Sequence, residues 1–163
     1  MRLRTTRIAN NIIGNSKHAI ALLRQAAADG NAAESKLAQC LYFGVGVERD
    51  LGAATKLLAR CNDSRAKHLL ARCMLLQSQE HPKPAELETA ARLFEASSSD
   101  DFVKACRGDT AAQFKAAWAL ETVPQDTKQG FERPDLPFCV CLLQLAANSG
   151  HPRAMLNLAR QLL

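Results

Sequence analysis

Residues 37–57 read LAQCLYFGVGVERDLGAATKL, and this stretch decides the fold class. It consists of two helical patterns joined by a Gly-x-Gly-Val turn. The first pattern places small or apolar residues at helical spacing, namely Leu37, Ala38 and Leu41. Gly44 and Gly46 then end it, because a tight turn needs residues that adopt a positive φ without steric cost. The stretch therefore predicts a helix, a turn and a second helix.

The second helix of this unit has a start signal and an apolar face. Asp50 stands where an N-cap belongs, since its carboxylate can accept a hydrogen bond from a first-turn N–H. The predicted buried face consists of Ala54, Leu57, Leu58 and Cys61. We expect this face to lie against the first helix, with Val47 folded back over the pair.

The same frame of small and apolar residues returns elsewhere in the chain, which indicates an internal repeat. One match at constant spacing joins Ala19, Leu22, Leu23, Ala26, Ala27 and Gly30 to Cys139, Leu142, Leu143, Ala146, Ala147 and Gly150. A second match joins Gly108, Ala112, Ala116 and Ala117 to Gly150, Ala154, Leu158 and Ala159. The tetrapeptide Leu37-Ala38-Gln39-Cys40 has a close copy in Leu70-Ala71-Arg72-Cys73. Small residues at the shared positions allow neighbouring helices to approach closely.

This pattern resembles the Sel-1-like repeat (SLR) family, a relative of the tetratricopeptide repeats. One unit of that family reads, roughly, Gly-x3-Ala-x3-Leu-Gly-x2-Tyr-x2-Gly-x-Gly-Val-x2-Asp-x3-Ala-x2-Trp. The residues that fall on this motif in one run are Leu37, Gly44, Gly46, Val47, Asp50 and Ala54. Leu41 replaces the usual Tyr, Leu57 the usual Trp and Ala38 the usual Gly. The resemblance implies a helical-repeat scaffold that assembles protein complexes.

Length and composition agree with such a fold. The chain has 163 residues, enough for one domain with a buried core. Apolar residues make up 47% of it and aromatic residues only 5%, so Ala and Leu supply most of the apolar content and favour helices. We predict an all-α fold, an α/α solenoid or superhelix of about four antiparallel helix pairs of the Sel-1-like or tetratricopeptide-like kind. It covers residues 17–163, after a basic N-terminal arm at residues 1–16.

The periodicity and the cap signals set the predicted helix bounds. The longer helices are expected at Lys17–Ala28, Ala32–Phe43, Leu51–Cys61, Ser64–Gln77, Glu86–Ala96, Thr110–Thr122, Leu136–Asn148 and Arg153–Leu163. Asp100–Cys106 is expected to add a short helical turn, and Asp135 keeps the capping place in the last unit. No helix follows the last one. We expect this last helix either to fray, or to use its Leu-rich face to dimerise or to bind a partner that caps it.

The N-terminal residues bear on location. No acidic residue precedes Asp29, whereas the basic residues there are Arg2, Arg4, Arg7, Lys17 and Arg24. This composition is typical of an organellar transit peptide, but the helix predicted from Lys17 leaves only a short leader. No apolar run approaches the ~20 residues that span a bilayer, and no secretory signal is present. We expect a soluble, cytoplasmic protein, with a mitochondrial location as the alternative.

The residues that most often carry chemistry form no recognisable site. The six cysteines include no Cys-x2-Cys pair, and the four histidines are scattered. Disulfides that pin helix pairs in some secreted SLR proteins make Cys61 and Cys73 the one suggestive pair, although buried, reduced thiols are the favoured interpretation. Gly44-x-Gly46 lacks the residues that complete a phosphate loop. We expect no catalytic residues, no metal and no cofactor.

Partner binding is the preferred functional hypothesis. In helical-pair solenoids the first helix of each pair lines the concave face, where Leu37, Leu70, Ala116 and Leu158 occupy equivalent inward positions. Residues one before and two after them share an outer face. This concave stripe supplies the predicted partner-binding residues Lys36, Gln39, Arg72, Lys115, Trp118, Asn157 and Arg160. It is basic and contains the only Trp of the chain, so we expect a groove for an acidic or extended peptide.

Three alternatives remain open. Trp118 can instead fill a gap in the irregular third repeat, with the stripe's charges merely solvated. A net charge of +5 also suits nucleic acid, although aromatic residues for base stacking are scarce. An organellar assembly or ribosome-associated factor would use the same basic residues. The sequence therefore predicts a non-catalytic interaction scaffold or adaptor, ahead of the organellar and nucleic-acid interpretations.

Overall fold

The computed structural model describes residues 17–27, 31–78, 83–97, 99–121 and 135–163. These residues form nine helices and no strand. Helix α1 covers residues 17–27. The helices that follow are α2 (Asn31–Phe43), α3 (Leu51–Leu58), α4 (Ser64–Gln77), α5 (Pro84–Ala96), α6 (Asp100–Cys106), α7 (Thr110–Glu121), α8 (Leu136–Asn148) and α9 (Pro152–Leu162).

The prediction of an all-α fold is confirmed, and most helix bounds agree with the sequence to within two residues. Helix α3 is shorter than expected, because it ends at Leu58 and not at Cys61. The chain tightens there: the N–H groups of Arg60 and Cys61 donate to carbonyls only three residues back, at Leu57 and Leu58. Such closer bonds satisfy carbonyls that would otherwise lack a partner at a helix end.

Contacts divide the chain into two compact units, unit 1 at Met1–Leu69 and unit 2 at Leu70–Leu163, with the boundary inside α4. In unit 1, α2 packs on α3. In unit 2, α5, α6, α7 and α8 each pack on the next helix along the chain. Packing in chain order is the arrangement expected of a helical repeat. The predicted basic arm, residues 1–16, lies outside the described residues.

The core of unit 1 forms where the helices of the 37–57 stretch meet. Ala38, Ala54 and Leu58 are fully buried, as their place in the repeat predicts. Tyr42 is also buried, although the repeat pattern does not single it out. Asp50 caps α3 by accepting the Ala53 N–H at 2.9 Å, and its own N–H donates to the carbonyl of Leu41 at 3.0 Å. The second bond ties the start of α3 to the end of α2.

The core of unit 2 combines many alanines with a few large side chains. The fully buried alanines include Ala71, Ala90, Ala91, Ala105, Ala117, Ala146 and Ala154. Because alanine is small, the helix backbones come close, and larger side chains fill the remaining space. Phe94 and Phe138 have no exposed surface, and Phe102 lies 5.0 Å from Phe94 between ring centroids.

None of the described helices has the length and apolar content that crossing a bilayer requires.

Candidate functional site

A groove of about 470 Å³ lies in unit 2 between one face of α7 and one face of α9. Its lining is Phe114, Lys115 and Trp118 from α7 and Arg153, Leu156 and Asn157 from α9. Spacings of three and four residues place each set on one face of its helix. Three residues of the predicted concave stripe therefore lie in one groove: Lys115, Trp118 and Asn157.

Trp118 forms an exposed wall of this groove and not part of the core. Its side chain is 52% exposed, and its ring lies 6.4 Å from that of Phe114. Phe114 in turn stacks on His151, with ring centroids 4.8 Å apart and an angle of 17° between the planes. His151 is held because its Nδ1 accepts the Ala154 N–H at 3.3 Å and caps α9. Phe114 is thus held, through His151, against the start of α9.

The α7–α9 groove combines apolar surface with positive charge. Leu156 is 62% exposed and stands on the α9 side of the groove. Lys115 pairs with Asp101 on α6, with 3.0 Å between Nζ and Oδ2, and both side chains are exposed. Exposed ion pairs of this kind contribute little stability, about 0–1 kcal/mol. An anionic group of a ligand can therefore replace Asp101 as the partner of Lys115. Arg153 is exposed and makes no ion pair within the described residues, so its charge is available to a ligand.

The other predicted stripe residues are not part of the lining of this groove. Arg160 is exposed on α9, two turns after Arg153, and does not line it. Lys36 and Gln39 belong to unit 1, where both line a separate cleft. Arg72 is on α4, with its guanidinium among aromatic rings of unit 2.

Arg72 makes a largely buried ion pair. Its Nη1 lies 3.2 Å from the Oδ2 of Asp135, and the side chains are 16% and 3% exposed. Its guanidinium carbon is 5.6 Å from the ring centroid of Phe102 and 5.3 Å from that of Phe138. Asp135 also caps α8 by accepting the Phe138 N–H. This placement gives Arg72 a structural role; its role in partner binding stays a prediction.

Sequence reasoning missed three lining residues of the α7–α9 groove: Phe114, Arg153 and Leu156. The predicted concave stripe took, on each helix, the positions one before and two after the residue expected to point inward. In α7 the next groove position lies one residue earlier, at Phe114. In α9 the groove face begins a full turn earlier, at Arg153. The i, i+3, i+4 pattern over α7 and α9, which the repeat match already aligns, could have found them.

The six cysteines form no disulfide bond with one another, and five of them are buried: Cys40, Cys61, Cys73, Cys106 and Cys139. Burial raises the pKa of Cys106 to about 12 and that of Cys141 to about 11. Burial also raises the pKa of Cys40, Cys61 and Cys139 above the ordinary value of 9.0. Because the thiolate is the nucleophilic form, these groups are poorly suited to attack a substrate at neutral pH.

Groups of three or more His, Cys, Asp or Glu side chains that could hold a metal ion are absent from the described part of the chain.

No protein-family model and no curated protein sequence matches the chain. Among solved structures, it is similar to c5321, described as a protective antigen present in uropathogenic Escherichia coli strains displaying an SLR fold. The two chains are 18% identical, and the TM-score is 0.46. The alignment covers 88% of this chain, which spans only 28% of the length of c5321.

Proposed function

We propose that the chain is a non-catalytic protein-interaction module, a scaffold or adaptor, that binds an extended acidic segment of a partner protein in the α7–α9 groove. The observation that carries the proposal is Trp118, a large aromatic side chain left 52% exposed in the wall of a groove. Trp is enriched at the energetic centres of protein interfaces, because it buries a large area at low entropic cost.

The charges of the α7–α9 groove favour an acidic partner segment. Lys115 and Arg153 stand on its two sides, and its lining includes no carboxylate. An apolar side chain of the partner would lie against Trp118 and Leu156, while its flanking carboxylates would face the two cations. Electrostatic complementarity of this kind selects the partner and speeds association.

Selection of peptides by the immobilised full chain tests this proposal. From a library of random peptides we expect enrichment of sequences with an apolar residue flanked by Asp or Glu. Calorimetry of a selected peptide should then show that Trp118→Ala and Arg153→Glu each weaken binding at least about tenfold. Lys104→Glu is the charge-matched control, because Lys104 is exposed on α6 and does not line the groove.

Two outcomes would contradict the proposal. One is selection without acidic bias, or variants of Trp118 and Arg153 that bind as tightly as the wild type. The other is displacement of the peptide by mixed RNA with a steep dependence on salt, because that would favour phosphate recognition over peptide recognition.

A further inference from the structure

The two cations of the α7–α9 groove, Lys115 and Arg153, differ in the partners that the chain itself gives them. The ammonium group of Lys115 lies against both oxygens of the Asp101 carboxylate, because its Nζ is 3.2 Å from Oδ1 and 3.0 Å from Oδ2. Arg153 is exposed on α9 and makes no ion pair within the described residues. The chain therefore neutralises the charge on the α7 side of the groove and leaves the charge on the α9 side open.

The packing of α6 keeps Asp101 within reach of Lys115. Helix α6 contacts both α5 and α7, and Asp101 lies in its first turn. Val103 of α6 is buried, and the ring of Phe102 stacks on that of Phe94 with 5.0 Å between the centroids. A carboxylate on a helix held in this way has a high effective concentration at Lys115, since it belongs to the same folded chain.

The exposure of the Asp101–Lys115 pair allows a ligand to replace Asp101, but with little net gain. The Lys115 and Asp101 side chains are 70% and 48% exposed, so water screens their attraction. A carboxylate of a ligand obtains Lys115 only by displacing another carboxylate, and the two ion pairs are alike in kind. At Arg153 no ion pair within the described residues has to break first, so the ligand keeps the whole of the attraction.

We infer that Asp101 is a specificity-determining residue of the α7–α9 groove, because it competes with the acidic groups of the partner segment for Lys115. This inference rests on the function proposed above for the groove and refines the partner that it selects. Arg153 binds the principal carboxylate of the segment, and Lys115 binds a second one only in exchange with Asp101. One acidic residue near the apolar anchor then accounts for most of the charge recognition.

Titrations of the full chain, followed by the fluorescence of its only Trp, Trp118, test the role of Asp101. The probe is the blocked peptide acetyl-Ala-Glu-Ala-Leu-Ala-Glu-Ala-amide. Asp101→Asn should bind it about two- to fivefold more tightly than the wild type, the range that the loss of one exposed ion pair allows. The gain is expected because the peptide no longer has to displace a carboxylate from Lys115.

Asp100→Asn is the matched control. Asp100 is the neighbouring carboxylate in the first turn of α6, is exposed and makes no ion pair within the described part of the chain. Its substitution removes the same charge from the same helical turn without releasing Lys115. This variant should therefore bind the peptide as the wild type does.

A second pair of variants tests whether Asp101 acts through Lys115. Lys115→Met removes the charge and keeps an unbranched apolar side chain. In the Lys115→Met chain, Asp101→Asn should no longer raise the affinity, because no cation is released. Arg153→Met should lower the affinity of the otherwise unchanged chain at least about threefold more than Lys115→Met does, because only Lys115 is already paired.

The possible failures are distinguishable. Equal affinities of Asp101→Asn and Asp100→Asn would overturn the role of Asp101, and so would a gain from Asp101→Asn that persists in the Lys115→Met chain. Both results require that the peptide binds, so they leave the proposed function of the groove intact. Failure of the wild type and of Asp101→Asn to bind the peptide at millimolar concentration would contradict the proposed function, and this inference with it.

Discussion

At the scale of single residues, the Arg72–Asp135 pair illustrates how tertiary context assigns a role. The Asp135 carboxylate accepts hydrogen bonds from both the Arg72 guanidinium and the Phe138 N–H at the start of α8. One carboxylate therefore serves as a helix cap and as the counter-ion of a nearly buried cation. The Nε of Arg72 has no hydrogen-bond partner in the described structure, so Asp135 is its main electrostatic support.

Asp135→Asn should lower the free energy of unfolding by about 3 kcal/mol, because it leaves the Arg72 charge buried and uncompensated while a cap acceptor remains. The double variant Arg72→Met/Asp135→Asn should recover part of that loss, since the uncompensated charge is gone. Urea denaturation of the wild type, the two single variants and the double variant measures the coupling energy between Arg72 and Asp135. Additive losses from the two substitutions would show that the pair is not coupled.

The buried thiols predict a pH dependence of stability. Burial raises the pKa of Cys106 from 9.0 to about 12, so the native state retains a proton that the unfolded state loses. The stability from this effect is fully present below pH 9 and is lost as the pH rises towards 12. Each fully shifted thiol should contribute a slope of about 1.4 kcal/mol per pH unit in that range.

Urea denaturation under reducing conditions between pH 8 and pH 10.5 measures this slope. The variant Cys106→Ala/Cys141→Ala provides the comparison, because it lacks two thiols whose pKa values are raised to about 12 and about 11. Its overall stability can fall through lost packing, but its stability should decline less steeply with pH. Parallel pH profiles for variant and wild type would contradict the assignment.

At the scale of elements, the turn between α2 and α3 depends on glycine backbone geometry. Gly44 has a φ of +68°, a conformation that residues with a side chain rarely adopt. A Cβ at this position would meet only ordinary contacts, the nearest being the Arg49 Cβ at 3.5 Å. Any effect of substitution would therefore come from the backbone conformation.

Gly44→Ala should destabilise the chain by about 1–2 kcal/mol, the usual cost of a left-handed alanine. Gly52→Ala is the matched control, because Gly52 lies inside α3 and has no positive φ. Alanine is the better helix former, so this variant should be neutral or stabilising by up to about 1 kcal/mol. Thermal unfolding monitored by circular dichroism compares them; equal effects of the two substitutions would rule out the backbone explanation.

At the scale of the whole molecule, burial is unevenly distributed among the helices of each unit. In unit 1, α2 buries most of its middle residues, whereas the described part of α1 has only Ile20 below one-tenth exposure. In unit 2, α8 contributes five buried side chains and α9 only Ala154 among its described ones. Local opening is easiest where few apolar contacts are lost.

Native-state hydrogen exchange should therefore show faster exchange in α1 than in α2 and faster exchange in α9 than in α8. We expect differences of at least about tenfold, because local opening free energies range from near zero to the global value. The comparison is made within each unit. Uniform protection of all four helices would indicate that the chain opens only as a whole.

The sequence by itself determined the positions of most helices, the Asp50 and Asp135 caps and the turn of the 37–57 stretch. These features depend on neighbours a few residues away, such as the Asp50 cap and the positive φ at Gly44 and Gly46. Helical periodicity likewise identified buried alanines such as Ala38, Ala54 and Ala117, because one face of a helix is fixed by spacing alone. Ala19, Ala26 and Ala159, at matching positions of the repeat, are exposed.

Only the tertiary structure decided which side chains of the predicted stripe meet. It places Lys115, Trp118 and Asn157 in one groove. It also pairs Arg72 with Asp135, which lies 63 residues later in the sequence. The physical reason is that hydrogen bonding and burial depend on residues brought close by folding, and helical spacing fixes only the face on which a side chain lies.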